Sequence, residues 1–166
     1  MTNELTTPSV VLERIGAARA MLAEVQEPVE AAQLVRQADA LAYLTKKAKL
    51  SEDAQRAAAE VALRAKRRAG ELLAETVPHE GGRPARNGNS SLPFAGPKLE
   101  DLGVSKMDSS RWQAIAKVPE ERFESYLSEA EAPTTSGLLL REEIAQWSRR
   151  HDPRPVVTGP VRRPEN

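Results

Sequence analysis

Apolar residues recur at helical spacing through the first half of the chain, where helix-start signals divide them into three runs. The start signals are Ser9, Pro28 and Ser51, which suit an N-cap, a first helical turn and an N-cap followed by acids. The positions expected to be buried are Val11, Ile15, Ala18, Leu22 and Val25; then Val29 or Ala32, Val35, Ala38, Leu41, Tyr43 or Leu44, and Ala48; then Ala54, Ala58, Val61, Ala65, Ala69 and Leu72. The pattern predicts three helices within residues 1–77, the last ending before Pro78.

The stripe of the third helix is narrow and rich in alanine. Such a stripe allows close helix packing but buries little area per residue. Three helices of this kind form a marginal core alone, so we expect either self-association or docking on the C-terminal half. Aromatic residues make up only 4% of the chain, and the abundance of helix-forming residues indicates an all-α fold.

Changes in composition divide the rest of the chain. Residues 78–97 are rich in Gly, Pro, Asn and Ser, and this composition predicts a flexible linker. Residues 98–150 return to helical periodicity, whereas residues 151–166 contain four prolines and no periodicity, which predicts a disordered tail. The expected organisation is a helical region that could dimerise, a linker, a helical domain and a tail.

The segment 98–118 carries the pattern of a helix-turn-helix. Leu99 and Leu102 suit a short first helix, and Gly103 stands where a left-handed turn residue is needed. Ser105 and Asp108 form a capping box for a second helix. A short helix, a glycine turn and a capped helix can place a recognition helix in the DNA major groove. A plain helical hairpin without a role in DNA binding is the alternative.

The side chains of the second helix favour DNA. Trp112, Ile115 or Ala116, and Val118 suit its buried face, and Pro119 stops it. The opposite face carries bases and hydroxyls, and an Arg there can pair with guanine while Ser contacts base edges or phosphate. The candidate DNA-binding residues are Ser105, Lys106, Met107, Ser109, Ser110, Arg111, Gln113 and Lys117.

The run from Leu99 to Leu127 resembles the central helix-turn-helix of ParB/KorB-type partition proteins. Leu102-Gly103, the Ser105 cap and Val118-Pro119-Glu120 match the pieces of that motif, and the run from Thr134 to Leu139 matches a later helix start. The resemblance covers roughly residues 98–144. It implies that Lys106, Ser110 and Arg111 face the operator, while Ser109 and Trp112 lie inward. The first half shows no counterpart of the family's nucleotide-binding module.

Two basic segments are weaker candidates. Gly82-Arg83-Pro84 resembles the core of an AT-hook, so Arg83 could enter a minor groove, but Gly81 stands where an Arg normally precedes the core. Otherwise this segment is a solvated linker. The run Arg64, Lys66, Arg67 and Arg68 is expected to be a solvated helix face paired with Glu60 and Glu71, with phosphate contact as the lesser alternative.

Acids are concentrated in residues 119–131, which cannot lie on phosphate. Phe123, Tyr126 and Leu127 are expected to form the core face of a helix there, and the acids could meet a protein partner. Formal net charge is zero over the chain, yet residues 98–148 hold six bases and ten acids, while the segment from residue 149 holds five bases and two acids. Positive charge is therefore gathered on the candidate recognition helix, the linker and the tail.

Catalysis has little support in the sequence. The chain has no Cys and two His, which excludes thiol chemistry and Cys-based metal sites, and it lacks phosphate-loop, dinucleotide and metalloprotease motifs. We therefore expect a non-enzyme without cofactor or metal. No apolar run approaches the length of a membrane span, and residues 1–8 lack the features of a signal peptide, so we expect a cytoplasmic, nucleoid-associated protein.

Together these features predict a homodimeric, sequence-specific binder of double-stranded DNA. The layout of helices, linker and motif also resembles small DNA-binding proteins of phages, plasmids and actinobacterial mobile elements, which suggests a regulator or accessory factor. A helical protein-interaction adaptor and a phage replication or packaging accessory protein are the alternatives.

Overall fold

The computed structural model describes residues 7–76 and 98–151, and all regular structure in these two ranges is helical. The helices are α1 (Pro8–Glu24), α2 (Pro28–Lys47), α3 (Glu52–Thr76), α4 (Lys106–Ala116), α5 (Glu120–Glu129) and α6 (Thr135–His151). The predicted all-α class is thereby confirmed for the described part. The predicted linker at 78–97 and all of the predicted tail after residue 151 lie outside the described residues. None of the described helices combines the length and apolar character needed to cross a membrane.

Local chemistry explains where the first three helices begin. Pro28 occupies the first turn of α2, and the Ser51 hydroxyl accepts a hydrogen bond from the Ala54 amide at 3.4 Å, as predicted for α3. The prediction that Ser9 caps α1 is wrong, because the N-cap is Thr7 and Ser9 lies within the first turn. Pro8 explains the shift, since its fixed φ and missing amide hydrogen suit the first helical position.

The predicted apolar stripes are buried with few exceptions. Between the alternatives in α2, Ala32 is buried while Val29 is exposed, and Leu44 is half-buried while Tyr43 is exposed. Ala48 is exposed, contrary to the prediction, because α2 ends at Lys47 before the stripe reaches it. The 3.6-residue period therefore predicts the packed face of each helix well. It does not predict where the helix ends.

Helix α3 is the centre of the fold and separates two apolar cores. One core joins α1, α2 and α3 with Leu102, Val104 and Trp112. The other joins Leu63 of α3 to residues of the C-terminal part, namely Ile115, Val118, Phe123, Tyr126, Leu127 and Leu138. The prediction of a single narrow stripe on α3 is therefore incomplete, because α3 is also buried at Ala62, Leu63, Gly70 and Leu73.

The two halves of the chain meet where α3 crosses α4. A Cβ atom added at Gly70 would overlap the backbone carbonyl of Trp112, so the two helix backbones are in direct contact there. Small residues such as Ala69 and Gly70 permit this approach. Of the two expected ways to close the N-terminal core, docking on the C-terminal half is present in the structure. Dimerisation through α1–α3 stays a prediction.

Candidate nucleic-acid interface

The segment before α4 is a tight turn. The amides of Leu102, Gly103 and Val104 donate to the carbonyls of Lys98, Glu100 and Leu99 at 3.3, 3.0 and 2.9 Å. The predicted short helix at Leu99–Leu102 is therefore wrong. Forming a first helical turn costs more conformational entropy than its few hydrogen bonds compensate. An isolated turn therefore does not extend into a helix by itself. Gly103 has φ of 63°, which confirms the predicted left-handed turn position.

A distant arginine holds this turn in place. Arg36 of α2 donates from Nη1 to the Leu102 carbonyl at 3.3 Å. A Cβ atom at Gly103 would lie 3.5 Å from the same Nη1, so the glycine also leaves room for the guanidinium. The sequence analysis missed Arg36, because 66 residues separate it from its acceptor and no local spacing relates them.

The start of α4 confirms the predicted cap. The Ser105 hydroxyl accepts from the Asp108 amide at 3.0 Å and donates to Asp108 Oδ2 at 2.6 Å. This arrangement satisfies an amide of the first turn, which has no partner within the helix. The carboxylate of Asp108 is therefore engaged in capping.

Two anchors in different cores set the rotation of α4 about its axis. Trp112 is packed in the core of α1–α3, and Ile115 is fully buried in the core of α5 and α6. Val118, just after the helix, is buried beside Ile115. The predicted inward face is thus confirmed, and the opposite face of α4 has a defined direction.

Ser109 lies on the inner side of α4. Ser109 is 4% exposed, and its hydroxyl accepts from Gln113 Nε2 at 3.1 Å. Its position matches the inward orientation implied by the resemblance, and this burial disfavours contact of Ser109 with DNA, which stays an untested prediction. Gln113 is half-buried, and one of its two side-chain amide hydrogens is used in this hydrogen bond.

The outer face of α4 presents the remaining candidates to solvent. Lys106, Met107, Ser110, Arg111 and Lys117 are all exposed. The Arg111 side chain makes no hydrogen bond or ion pair with any described residue, so its five N–H donors are available to a ligand. The surface combines three bases, one hydroxyl and one flexible apolar side chain.

A cleft of about 280 Å³ lies beside Arg111. Its charged lining residues are Arg36 and Asp39 of α2, Lys66 of α3, and Asp108 and Arg111 of α4, and Thr135 and Ser136 contribute hydroxyls from the first turn of α6. The Lys66 ammonium pairs with the Asp39 carboxylate at 2.7 Å. The cleft brings cationic side chains from three helices together, and only Lys66 and Arg111 were candidates from the sequence.

The basic run of α3 mostly joins helices within the chain. Arg64 forms two hydrogen bonds to the Glu124 carboxylate at 2.6 and 2.8 Å and a third to Glu60 at 3.1 Å. Arg67 pairs with Glu120 at 2.7 Å and Glu71 at 3.4 Å. The expected pairing with Glu60 and Glu71 is confirmed, but the surface is an interface with α5 and not a solvated face.

Arg68 completes this arrangement at the α1–α2 turn. Its Nε and Nη2 donate to the Val25 carbonyl at 3.1 and 3.0 Å, and its Nη1 lies 3.3 Å from Glu71. The carbonyl of Val25 is thereby satisfied just after α1 ends. The guanidinium groups of Arg64, Arg67 and Arg68 are engaged inside the chain, which disfavours the phosphate-contact alternative for them.

Helix α5 supplies the matching acids. Phe123, Tyr126 and Leu127 are buried, which confirms the predicted core face. Glu120 and Glu124 meet α3, and Glu129 pairs with Arg141 of α6 at 2.8 Å. The acidic run therefore has partners within the protein, and an external protein partner at residues 119–131 stays a prediction.

The pairing of Glu124 with Arg64 makes stability depend on pH. Hydrogen bonding from Arg64 lowers the pKa of the Glu124 carboxyl from its ordinary value of 4.5. The contribution of this pair is complete above pH 4.5 and is lost as pH falls through the lower pKa of the folded state. Urea unfolding at about pH 7 and about pH 3 measures this loss. We expect Glu124→Gln to reduce it, whereas Glu121→Gln on exposed α5 surface serves as the control. An equal acid loss in wild type and Glu124→Gln would contradict this assignment.

Other candidates lie beyond the described ranges. Arg83 and its Gly-Arg-Pro segment are outside them, as are the tail arginines Arg154, Arg162 and Arg163. Arg149 and Arg150 end α6 and are exposed. The α6 start implied by the resemblance is present, since the Thr134 hydroxyl accepts from the Gly137 amide at 3.1 Å.

Comparison with protein-family models, with curated proteins and with solved structures gives no match. Within residues 7–76 and 98–151, no group of three or more His, Asp or Glu side chains is placed to hold a metal ion.

Proposed function

We propose that the protein binds double-stranded DNA in a sequence-specific way through the outer face of α4. The observation that carries this proposal is the exposed row of Lys106, Ser110, Arg111 and Lys117 on a helix whose opposite face is anchored at Trp112. A helix held at a fixed rotation can present the same side chains to a major groove each time it binds. The role is that of a regulator or accessory factor of a phage, plasmid or chromosome.

Each side chain has a contact that suits its chemistry. The Arg111 guanidinium can form a bidentate hydrogen-bonded contact with guanine. Ser110 beside it can donate a hydrogen bond to a base edge or accept one from it. Lys106 and Lys117, at the two ends of α4, can meet phosphates on either side of the groove. Gln113 has donor and acceptor capacity left after its bond to Ser109.

The surroundings of α4 favour an anionic ligand on this side. The cleft at Arg111 is lined by Arg36 and Lys66, by Asp39 and Asp108, and by the Ser136 hydroxyl at the first turn of α6. Asp39 is paired with Lys66 and Asp108 accepts from Ser105, so both carboxylates have partners and the charges of Arg36 and Arg111 remain. The acids Glu120 and Glu124 are instead turned to the arginines of α3, where their charge is compensated. Compensation within α3 and α5 lessens the repulsion that ten acids in this region would exert on DNA.

The sequence resemblance to ParB/KorB-type partition proteins supports the same assignment. It places Lys106, Ser110 and Arg111 toward DNA, and these three side chains are exposed in the structure. It places Ser109 and Trp112 inward, and both are buried. The match is incomplete, because residues 99–103 form a turn where the family's motif has a helix. We limit the proposal to DNA binding through α4, since residues 1–77 show no counterpart of the family's nucleotide-binding module.

Selection from a pool of random duplexes tests the proposal. We expect one sequence family to be enriched, and Arg111→Ala to weaken its binding by about 1–3 kcal/mol and to relax the preference at one base pair. Arg14→Ala, which removes an exposed arginine of α1, is the matched control and should leave affinity unchanged. Absence of any enriched sequence, or equal binding by Arg111→Ala, would refute the proposal.

A further inference from the structure

Helix α6 carries a row of large apolar side chains on its exposed surface. Leu140, Ile144 and Trp147 are 58%, 57% and 59% exposed, and they follow one another at intervals of four and three residues. The opposite face of α6 is packed, with Leu138 buried in the core and Glu142 paired with Arg122 at 3.1 Å. The row therefore lies on the side of α6 opposite Leu138 and Glu142.

This row differs from the other exposed apolar residues of the described part. Single exposed apolar side chains are common on soluble proteins, whereas neighbouring ones on one face indicate an interaction surface. Intervals of four and three residues match the spacing of a coiled-coil seam, in which Leu140 and Trp147 would take d positions and Ile144 an a position. The spacing suits another helix as the occupant.

The charged residues beside the row indicate that the helix that covers it is α6 of a second copy. Glu143 and Arg150 are exposed, are seven residues apart and occupy successive g positions on one flank of the seam. In an antiparallel pair of α6 helices, Ile144 packs beside the partner's Trp147, and Glu143 lies across from the partner's Arg150. Two-fold symmetry forms this ion pair twice. A parallel pair would instead place Glu143 near the partner's Ser148, which carries no charge.

We propose that α6 is a dimerisation helix that pairs antiparallel with α6 of a second copy of this chain. Three apolar side chains per copy bury less than the roughly 1,600 Å² of a standard interface, so the dimer is reversible and depends on protein concentration. The proposal moves dimerisation from α1–α3, whose stripes are covered within the chain, to the C-terminal helix. It does not depend on DNA binding.

Sedimentation equilibrium of the full chain without DNA tests the proposal. We expect the mass to rise from 18.2 kDa toward twice that value with concentration. The tryptophan emission, which combines exposed Trp147 with buried Trp112, should shift to shorter wavelength over the same range. Ile144→Asp should weaken the dimer at least about tenfold by placing a charge in the seam. Val29→Asp, at an exposed apolar residue of α2, is the matched control. A monomer at every concentration, or a dimer unchanged by Ile144→Asp, overturns the proposal.

Charge exchange tests the antiparallel arrangement. Glu143→Arg and Arg150→Glu each place like charges across the seam, so each should weaken the dimer, and the double variant should restore it. Arg149→Glu makes the same charge change one residue away, outside the flank, and should have little effect. Circular dichroism checks that each variant keeps its helix content. Failure of the double variant to restore the dimer, or an equal effect of Arg149→Glu, overturns the antiparallel pairing.

Discussion

Replacing Phe123 with alanine is expected to lower the free energy of unfolding by about 3–5 kcal/mol. Phe123 is 1% exposed and is the largest fully buried side chain, at the point where α5 meets α3. The guanidinium of Arg67 lies 4.6 Å from the centre of its ring, and Arg67 Nη1 is buried without a hydrogen-bond partner among the described residues. Truncation leaves a cavity and also removes the aromatic face that favours the buried cation.

Urea denaturation of wild type and variant at neutral pH measures this loss. Phe123→Leu should cost less, because it fills more of the cavity and removes chiefly the aromatic contribution. Tyr43→Ala removes an exposed aromatic side chain of α2 and should change stability by no more than about 0.5 kcal/mol. A loss below about 1 kcal/mol for Phe123→Ala would show that the α3–α5 contact contributes far less to stability than its burial implies.

Local sequence signals were sufficient for much of the helical architecture. The Ser51 cap, Pro28 in the first turn of α2, and the Ser105–Asp108 cap depend on bonds between residues a few positions apart. Gly103 likewise has a local cause, because the turn requires a positive φ at this position. Such features are determined by short-range chemistry, so they can be predicted without knowledge of the fold.

Failures arose where distant segments decide the outcome. The stripe of α3 was expected to be narrow, but the docking of α4 and α5 buries a second set of positions that includes Leu63 and Gly70. Arg64 was expected to pair with Glu60, and it does, yet its shortest bonds run to Glu124, 60 residues away. No periodicity within α3 contains this information, because it depends on which helix packs beside it.

In the candidate interface, too, local features could be predicted from the sequence and contacts between distant segments could not. The exposure of Ser110 and Arg111 could be predicted from the spacing of Trp112 and its apolar neighbours. The contribution of Arg36 could not, since this residue belongs to α2 and reaches the turn only in the folded chain. Local spacing thus predicts which face of α4 is outward, whereas the surface beside it is assembled from distant helices.

Gly70→Ala is expected to destabilise the protein by about 2 kcal/mol or more, although alanine is the better helix former. The added methyl group would overlap the backbone carbonyl of Trp112, and a backbone atom cannot move aside as a flexible side chain can. Separating α3 from α4 would also withdraw Trp112 from its core. We therefore expect loss of stability together with weaker DNA binding, because the outer face of α4 would lose its fixed direction.

Gly16→Ala is the matched control, because the two substitutions should have opposite signs. Gly16 lies within α1, and a Cβ atom there meets no other atom within 4 Å. Its replacement should stabilise the protein by about 0.5–1 kcal/mol through helix propensity alone. Thermal and urea unfolding of both variants, with duplex binding measured under conditions where both are folded, separates packing from propensity. If Gly70→Ala stabilised the protein as Gly16→Ala does, the two backbones would not be in contact, and the proposed rigid placement of α4 would lose its basis.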